Sequence, residues 1–140
     1  MKLAYVDTSC LVAMTFGEPS ADGVRALLAG YDRLFSSNLM EAEWRAALYR
    51  EQLLDVSDDA LRTVDWVLPN RSLSTEIAQV FGAGYLRGAD AWHLASALYL
   101  DPLAAELSFL TLDTAQRAVA KTLGFDAPGS ARPRRGAAKS

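Results

Sequence analysis

The hydrophobic pattern along the chain changes repeatedly between short apolar runs and longer stretches with helical periodicity. The short runs predict buried strands at Leu3–Val6, Arg33–Ser36 and Leu107–Thr111, with weaker strand signals at Asn70–Leu73 and from Phe125. The longer stretches predict helices at Ser9–Phe16, Ser20–Ala29, Asn38–Glu51, Asp58–Leu68, Thr75–Phe81, Ala89–Leu100 and Thr114–Leu123. Strands that alternate with helices indicate an α/β protein, in which a mostly parallel sheet is covered by helices on both faces.

The chain is short enough for a single domain and apolar enough to fill one core. It has 140 residues, of which 51% are hydrophobic. Its one cysteine, Cys10, excludes an internal disulfide and suits a reducing compartment. No apolar run approaches the ~18–20 residues of a membrane helix, and no secretory signal is visible, so we expect a cytoplasmic protein.

Charge is distributed unevenly along the chain. The net charge is −3, but residues 128–140 (PGSARPRRGAAKS) hold four basic residues and no acid, so the residues before them carry −7. We expect residues 1–127 to form the domain and residues 128–140 to be a disordered basic tail that either aids solubility or contacts RNA. An acidic body binds nucleic acid poorly unless cations intervene.

Two acids follow predicted strands directly and are therefore expected at one edge of the sheet. Asp7 comes after the first strand, and Asp113 comes shortly after the last strong one. In parallel sheets this carboxyl edge is where ligands bind. Each acid also has a structural explanation: Asp113 with Gln116 fits a helix capping box, and Asp7 could cap the next helix, although Ser9 could do so as well.

Two further acids lie on predicted helices among apolar neighbours. Glu43 shares a helix face with apolar residues, whereas nearby Glu41 is explained by Asn38 and by an ion pair with Arg45. Asp90 begins the stretch LRGADAWHLASAL and also lies on an apolar face, although the helix dipole favours an acid in a first turn.

Four carboxylates close together would repel one another and raise each other's pKa values unless a cation bound between them. Magnesium and manganese prefer such hard oxygen ligands. The chain has one histidine and no cluster of cysteine and histidine, which argues against a structural zinc site. An acid-only metal site suits hydrolysis of phosphodiesters, because the ion, rather than the acidic surface, would meet the phosphate.

Four segments in order resemble the PIN domain, specifically the VapC-type ribonuclease toxins of bacterial toxin–antitoxin pairs. The segments are YVDTSCLVA, SSNLMEAEWRAAL, LRGADAWHLASAL and FLTLDTAQRAVAKTLGF, and the resemblance spans about residues 1–126. It implies a three-layer α/β/α PIN-like fold with about five parallel strands. It also implies an endoribonuclease that depends on Mg²⁺ or Mn²⁺, a VapB-like antitoxin whose C-terminal segment covers the acidic pocket, a homodimer and a larger toxin–antitoxin complex.

Residue by residue, the resemblance assigns the catalytic and metal-binding roles to four acids and supporting roles to three hydroxyl residues. The acids are Asp7, Glu43, Asp90 and Asp113, and the supporting residues are Thr8, Ser9 and Thr111. Some members carry a further acid where this chain has Arg117, which could instead face the phosphate or pair with the rim of the sheet. His93 is favoured as a hydrogen-bonded packing residue over a general base.

Two other classes of function compete with a nuclease. A non-catalytic PIN-fold module that binds RNA or a protein stays open, although all four acids are present. A phosphotransfer receiver would need a paired acid beside its first-strand Asp or a lysine at a late strand end, and a haloacid-dehalogenase-like phosphatase would need an acid where Ser9 stands. Neither requirement is met.

Overall fold

The computed structural model describes residues 1–129, and these form a four-stranded parallel sheet between two layers of helices. The strands are β1 (Leu3–Val6), β2 (Arg33–Ser37), β3 (Val64–Val67) and β4 (Leu107–Leu110). Their order across the sheet is β3-β2-β1-β4, and every pairing is parallel. The three-layer α/β fold class predicted from the sequence is confirmed.

In the described part of the chain, six α-helices connect and flank the strands. They are α1 (Thr8–Thr15), α2 (Ala21–Ala29), α3 (Leu39–Arg50), α4 (Ser74–Ala83), α5 (Gly88–Leu100) and α6 (Thr114–Leu123). A short 3₁₀ helix at Asp58–Thr63 precedes β3. Within residues 1–129 no helix is both long and apolar enough to cross a bilayer.

The two faces of the sheet bury separate apolar clusters, because side chains alternate along each strand. Tyr5 and Phe109 point to the face covered by α4, α5 and α6, where their rings stack with centroids 5.2 Å apart. Val6 and Leu110 point to the opposite face, which is covered by α1, α2 and α3. The helices that follow β1 and β4 therefore pack on opposite faces of the sheet.

The predicted helix at Asp58–Leu68 is wrong beyond Thr63, and the predicted strand at Asn70–Leu73 is wrong. Val64–Val67 pairs with β2 as the edge strand, since its branched and aromatic side chains suit a half-buried pleated surface. That edge is then occupied, and Asn70–Leu73 forms the loop into α4.

The expected fifth strand is reduced to a single bridge. Asp126 pairs with Ser108, and its carbonyl accepts a hydrogen bond of 2.8 Å from the backbone N–H of Phe109. The segment is short because Gly124 ends α6 in a left-handed conformation and Pro128, which lacks an N–H, follows closely. Of the expected tail at residues 128–140, positions 130–140 lie outside the described residues.

Candidate functional site

The strand order creates a crevice at the carboxyl ends of β1 and β4. The chain moves from β1 outward to β2 and β3, then returns to place β4 on the other side of β1. Because α1 and α6 leave these two strands toward opposite faces, the backbone diverges between them. Open α/β sheets bind ligands at such a point.

Asp7 lies at the base of this crevice. Its carboxylate caps α1, because Oδ2 accepts a hydrogen bond of 3.2 Å from the Ser9 N–H, and the Thr111 hydroxyl oxygen also lies 3.2 Å from Oδ2. Only 5% of the residue is exposed. Its other oxygen, Oδ1, lies 3.7 Å from His93 Nε2. Asp7 therefore caps α1 and also lies at the carboxyl edge of the sheet.

Asp113 reaches the crevice from the start of α6. Its Oδ1 accepts a hydrogen bond of 2.9 Å from the Gln116 N–H and caps the helix. The Thr111 hydroxyl oxygen accepts from the Asp113 N–H at 3.0 Å and lies 2.6 Å from Gln116 Oε1. Ser9 Oγ accepts from the Leu112 N–H at 3.0 Å. The predicted supporting residues Ser9 and Thr111 therefore join the ends of β1 and β4.

Glu43 approaches from α3 and is anchored by one oxygen. Its Oε1 accepts hydrogen bonds from the Thr8 hydroxyl at 2.6 Å and from His93 Nε2 at 2.7 Å. Partial burial opposes ionisation of this carboxyl, but the bonds from His93 and Thr8 outweigh that effect and lower its pKa. Glu43 is therefore held as a carboxylate.

Asp90 stands in the first turn of α5 and is the least anchored of the four acids. Among residues 1–129, the one hydrogen-bonding partner of its carboxylate is the exposed Arg87, at 3.5 Å. Burial raises the pKa of Asp90, and the charges of Asp7 and Asp113 raise it further. Asp90 therefore lies within electrostatic reach of both acids, as the crevice geometry requires.

Hydrogen bonds and electrostatic effects thus link the four predicted acids, but not as a complete cage. Asp7 and Glu43 both lie within 4 Å of His93 Nε2. In residues 1–129, no three acidic, histidine or cysteine side chains surround one point as metal ligands would. The donor set is nevertheless suited to a hard cation, because Mg²⁺ is commonly held by one or two carboxylates and completed by waters.

The sequence interpretation named Gln116 only as a capping partner and did not name Tyr5 as a site residue, yet both residues build the site. Gln116 is fully buried, and its amide N–H₂ donates to the Asp90 carbonyl at 3.1 Å, which ties α6 to α5. Tyr5 is also fully buried, and its hydroxyl contacts His93 at 2.7 Å. The position of Tyr5 two residues before Asp7 on the strand was the available signal.

His93 and Arg117 can now be placed. His93 is completely buried and hydrogen-bonded, which agrees with its interpretation as a packing residue. Arg117 Nη2 donates to the Thr111 carbonyl at 2.6 Å. Of the two alternatives for Arg117, the structure shows the pairing with the rim of the sheet.

A comparison with protein families matches residues 4–124 to the PIN domain. The chain therefore belongs to the PIN domain family, whose members are generally metal-dependent nucleases. Comparisons with curated proteins and with solved structures gave no match. The family assignment agrees with the parallel sheet and with the acidic crevice at its carboxyl edge.

Proposed function

We propose that this protein is an endoribonuclease that hydrolyses RNA phosphodiesters with Mg²⁺ or Mn²⁺ held by Asp7, Asp90, Glu43 and Asp113. The observation that supports this most is the convergence of acids from separate elements: burial raises the pKa of Asp90 at the crevice, and the charges of Asp7 and Asp113 raise it further. A folded protein gains nothing from such repulsion, whereas a bound cation relieves it.

The chain's own residues would orient the reaction. Thr8 and His93 hold Glu43, and the Ser9 N–H holds Asp7, so both carboxylates are fixed before substrate arrives. When bound, the divalent ion supplies a lowered water pKa and offsets charge on the phosphodiester. In-line attack by water would leave 5′-phosphate and 3′-hydroxyl ends.

The test is cleavage of RNA by the purified full chain with Mg²⁺ or Mn²⁺. We expect D7N and D90N to abolish cleavage, because each removes one charge from the ion site. E41Q is the matched control, since Glu41 pairs with Arg45 at 2.7 Å on the exposed side of the same helix as Glu43. Undiminished cleavage by D7N or D90N would overturn the proposal.

The biological role we propose is that of a VapC-type toxin. The support is the resemblance of four segments in order, together with an acidic crevice that suits a basic inhibitory segment. The proposed partners are a VapB-like antitoxin and a second copy of this chain, within a larger toxin–antitoxin complex. Growth arrest on expression, lost in D7N and relieved by the product of a neighbouring small reading frame, would support this role. Unimpaired growth on expression of the wild-type chain would oppose it.

A second candidate is a PIN-fold module that binds RNA or a protein without cleavage. It is favoured by the absence, within residues 1–129, of three acids already arranged around one point. Calorimetry separates the two functions: the nuclease requires heat of Mn²⁺ binding that D90N loses. RNA binding without Mn²⁺ binding or cleavage would favour the module.

A further inference from the structure

A continuous line of hydrogen bonds, buried up to His93, runs from the sheet to Glu43. The backbone N–H of Ser37, at the end of β2, donates to the Tyr5 hydroxyl oxygen at 2.9 Å. The Tyr5 hydroxyl lies 2.7 Å from His93 Nδ1, and His93 Nε2 lies 2.7 Å from Glu43 Oε1. Tyr5 and His93 are both 0% exposed. The line therefore connects β2, β1, α5 and α3, and it reaches solvent only at Glu43, whose side chain is 31% exposed.

The partners at each end fix where the protons lie along this line. The Ser37 N–H can only donate, so the Tyr5 oxygen accepts there. The Tyr5 hydroxyl has one proton of its own, and the acceptor within 2.7 Å of it is His93 Nδ1. His93 Nδ1 then acts as an acceptor, and Nε2 carries the ring proton and faces the Glu43 carboxylate.

The opposite tautomer would be costly. It would direct the Nε2 lone pair at a carboxylate oxygen 2.7 Å away, and it would set the Nδ1 proton against the Tyr5 hydroxyl. The Tyr5 hydroxyl proton would then have to find another acceptor in a buried space. Tyr5 and Glu43 therefore select together which His93 nitrogen donates.

We propose that His93, held by Tyr5 in the tautomer protonated on Nε2, is a positioning residue that orients Glu43 for the divalent ion. Oε1 of Glu43 takes both anchoring bonds, from His93 and Thr8, and no hydrogen bond among residues 1–129 uses Oε2. One oxygen is thus committed to the fold, and the other is left for an ion. This inference rests on the proposed function, because it concerns the same site.

The tautomer can be measured directly, because His93 is the only histidine in the chain. Long-range ¹H–¹⁵N spectra of the metal-free full chain should show a protonated Nε2 and an unprotonated Nδ1. In Y5F, which removes the hydroxyl and keeps the ring, the Nδ1 signal should move toward that of a nitrogen without a hydrogen-bond donor, while the contact with Glu43 keeps Nε2 protonated. A wild-type ring protonated on Nδ1, on both nitrogens, or equally on either would overturn the inference.

Two substitutions of His93 separate positioning from packing. The H93Q amide can reach the place of Nε2 and donate to Glu43, whereas the H93N amide reaches only the place of Nδ1 and leaves Glu43 without that donor. Substituting a residue that orients a metal ligand typically lowers metal affinity about 10–100-fold. Mn²⁺ alone should therefore bind H93N at least about tenfold more weakly than wild type. H93Q should stay within about threefold of wild type.

The outcomes of the Mn²⁺ titration distinguish this inference from the proposed function. If wild type binds Mn²⁺ and H93N binds it equally well, or if H93Q and H93N lose affinity alike, the positioning role fails and the nuclease stands. If wild type binds no Mn²⁺ and cuts no RNA, the proposed function fails and this inference fails with it. Thermal denaturation of both variants shows whether they fold and serves as the readout of packing.

Discussion

Replacing Thr111 by valine tests whether its hydroxyl joins the two sides of the crevice. Valine keeps the size of the side chain and removes only the polar group. The Thr111 hydroxyl accepts from the Asp113 N–H at 3.0 Å and lies 2.6 Å from Gln116 Oε1, and Thr111 is 2% exposed. Gln116 cannot simply turn away, because its amide N–H₂ already donates to the Asp90 carbonyl. T111V therefore leaves two polar groups without partners.

The expected loss of stability follows from those two groups. A buried polar atom without a partner costs about 1–3 kcal/mol, and Gln116 Oε1, in a fully buried residue, is such an atom. The Asp113 N–H is only partly buried, so the loss of its hydrogen bond adds about 1 kcal/mol. T111V should lower the free energy of unfolding by about 2–4 kcal/mol in total.

The assay is equilibrium urea unfolding of wild type, T111V and T111S. T111S keeps the hydroxyl and loses one buried methyl group, which costs about 1 kcal/mol. The order of stability should therefore be wild type, T111S and then T111V. If T111V is as stable as wild type, or more stable than T111S, the hydroxyl does not carry the connection described above.

Three further predictions concern charge and backbone. Without metal, D90N should melt above wild type near pH 7. Because the pKa of Asp90 is raised in the folded protein, the stability that Asp90 contributes falls as pH rises through this pKa. The gain in melting temperature of D90N over wild type should therefore vanish toward about pH 4. A lower melting temperature for D90N at pH 7 would contradict this. G124A should cost about 1–2 kcal/mol because φ is +105°, whereas G82A, in α4 with open space around it, should gain about 0.5 kcal/mol; thermal melts compare the two, and equal effects would refute the argument. R117A removes the hydrogen bond to the Thr111 carbonyl, so it should lower the free energy of unfolding by about 1–2 kcal/mol and keep RNA cleavage. Lost cleavage at unchanged stability would instead assign Arg117 to the phosphate.

The sequence was sufficient to place Asp7 and Asp113 at one edge of the sheet. Each acid follows a short apolar run directly or within a few residues, and parallel strands bring such positions together whatever their separation along the chain. The capping pattern of Asp113 and Gln116 was only half right. Asp113 does accept from the Gln116 N–H, but the Gln116 side chain turns inward to Thr111 and Asp90 instead of reaching back to the Asp113 N–H.

Local patterns could not supply the partners of His93 or the direction of Arg117. Tyr5 and His93 are 88 positions apart, and their contact depends on how α5 packs on β1. The sequence alone does not show whether the Arg117 side chain faces the phosphate or the rim of the sheet. Its hydrogen bond to the Thr111 carbonyl shows that it faces the rim. The strand Val64–Val67 was hidden for a different reason, because a short apolar segment after a capped turn fits a helix and a strand equally well.

The way each acid is held explains how this fold can keep several carboxylates near one crevice. Asp7, Glu43 and Asp113 each use one oxygen to accept bonds from neighbouring hydroxyl, imidazole or backbone donors, and those donors offset the cost of burying charge. Asp90 lacks such donors apart from the exposed Arg87, and its pKa is raised instead. The electrostatic strain of the site is therefore concentrated on Asp90, so neutralising this residue should stabilise the empty protein most and should also weaken cation binding.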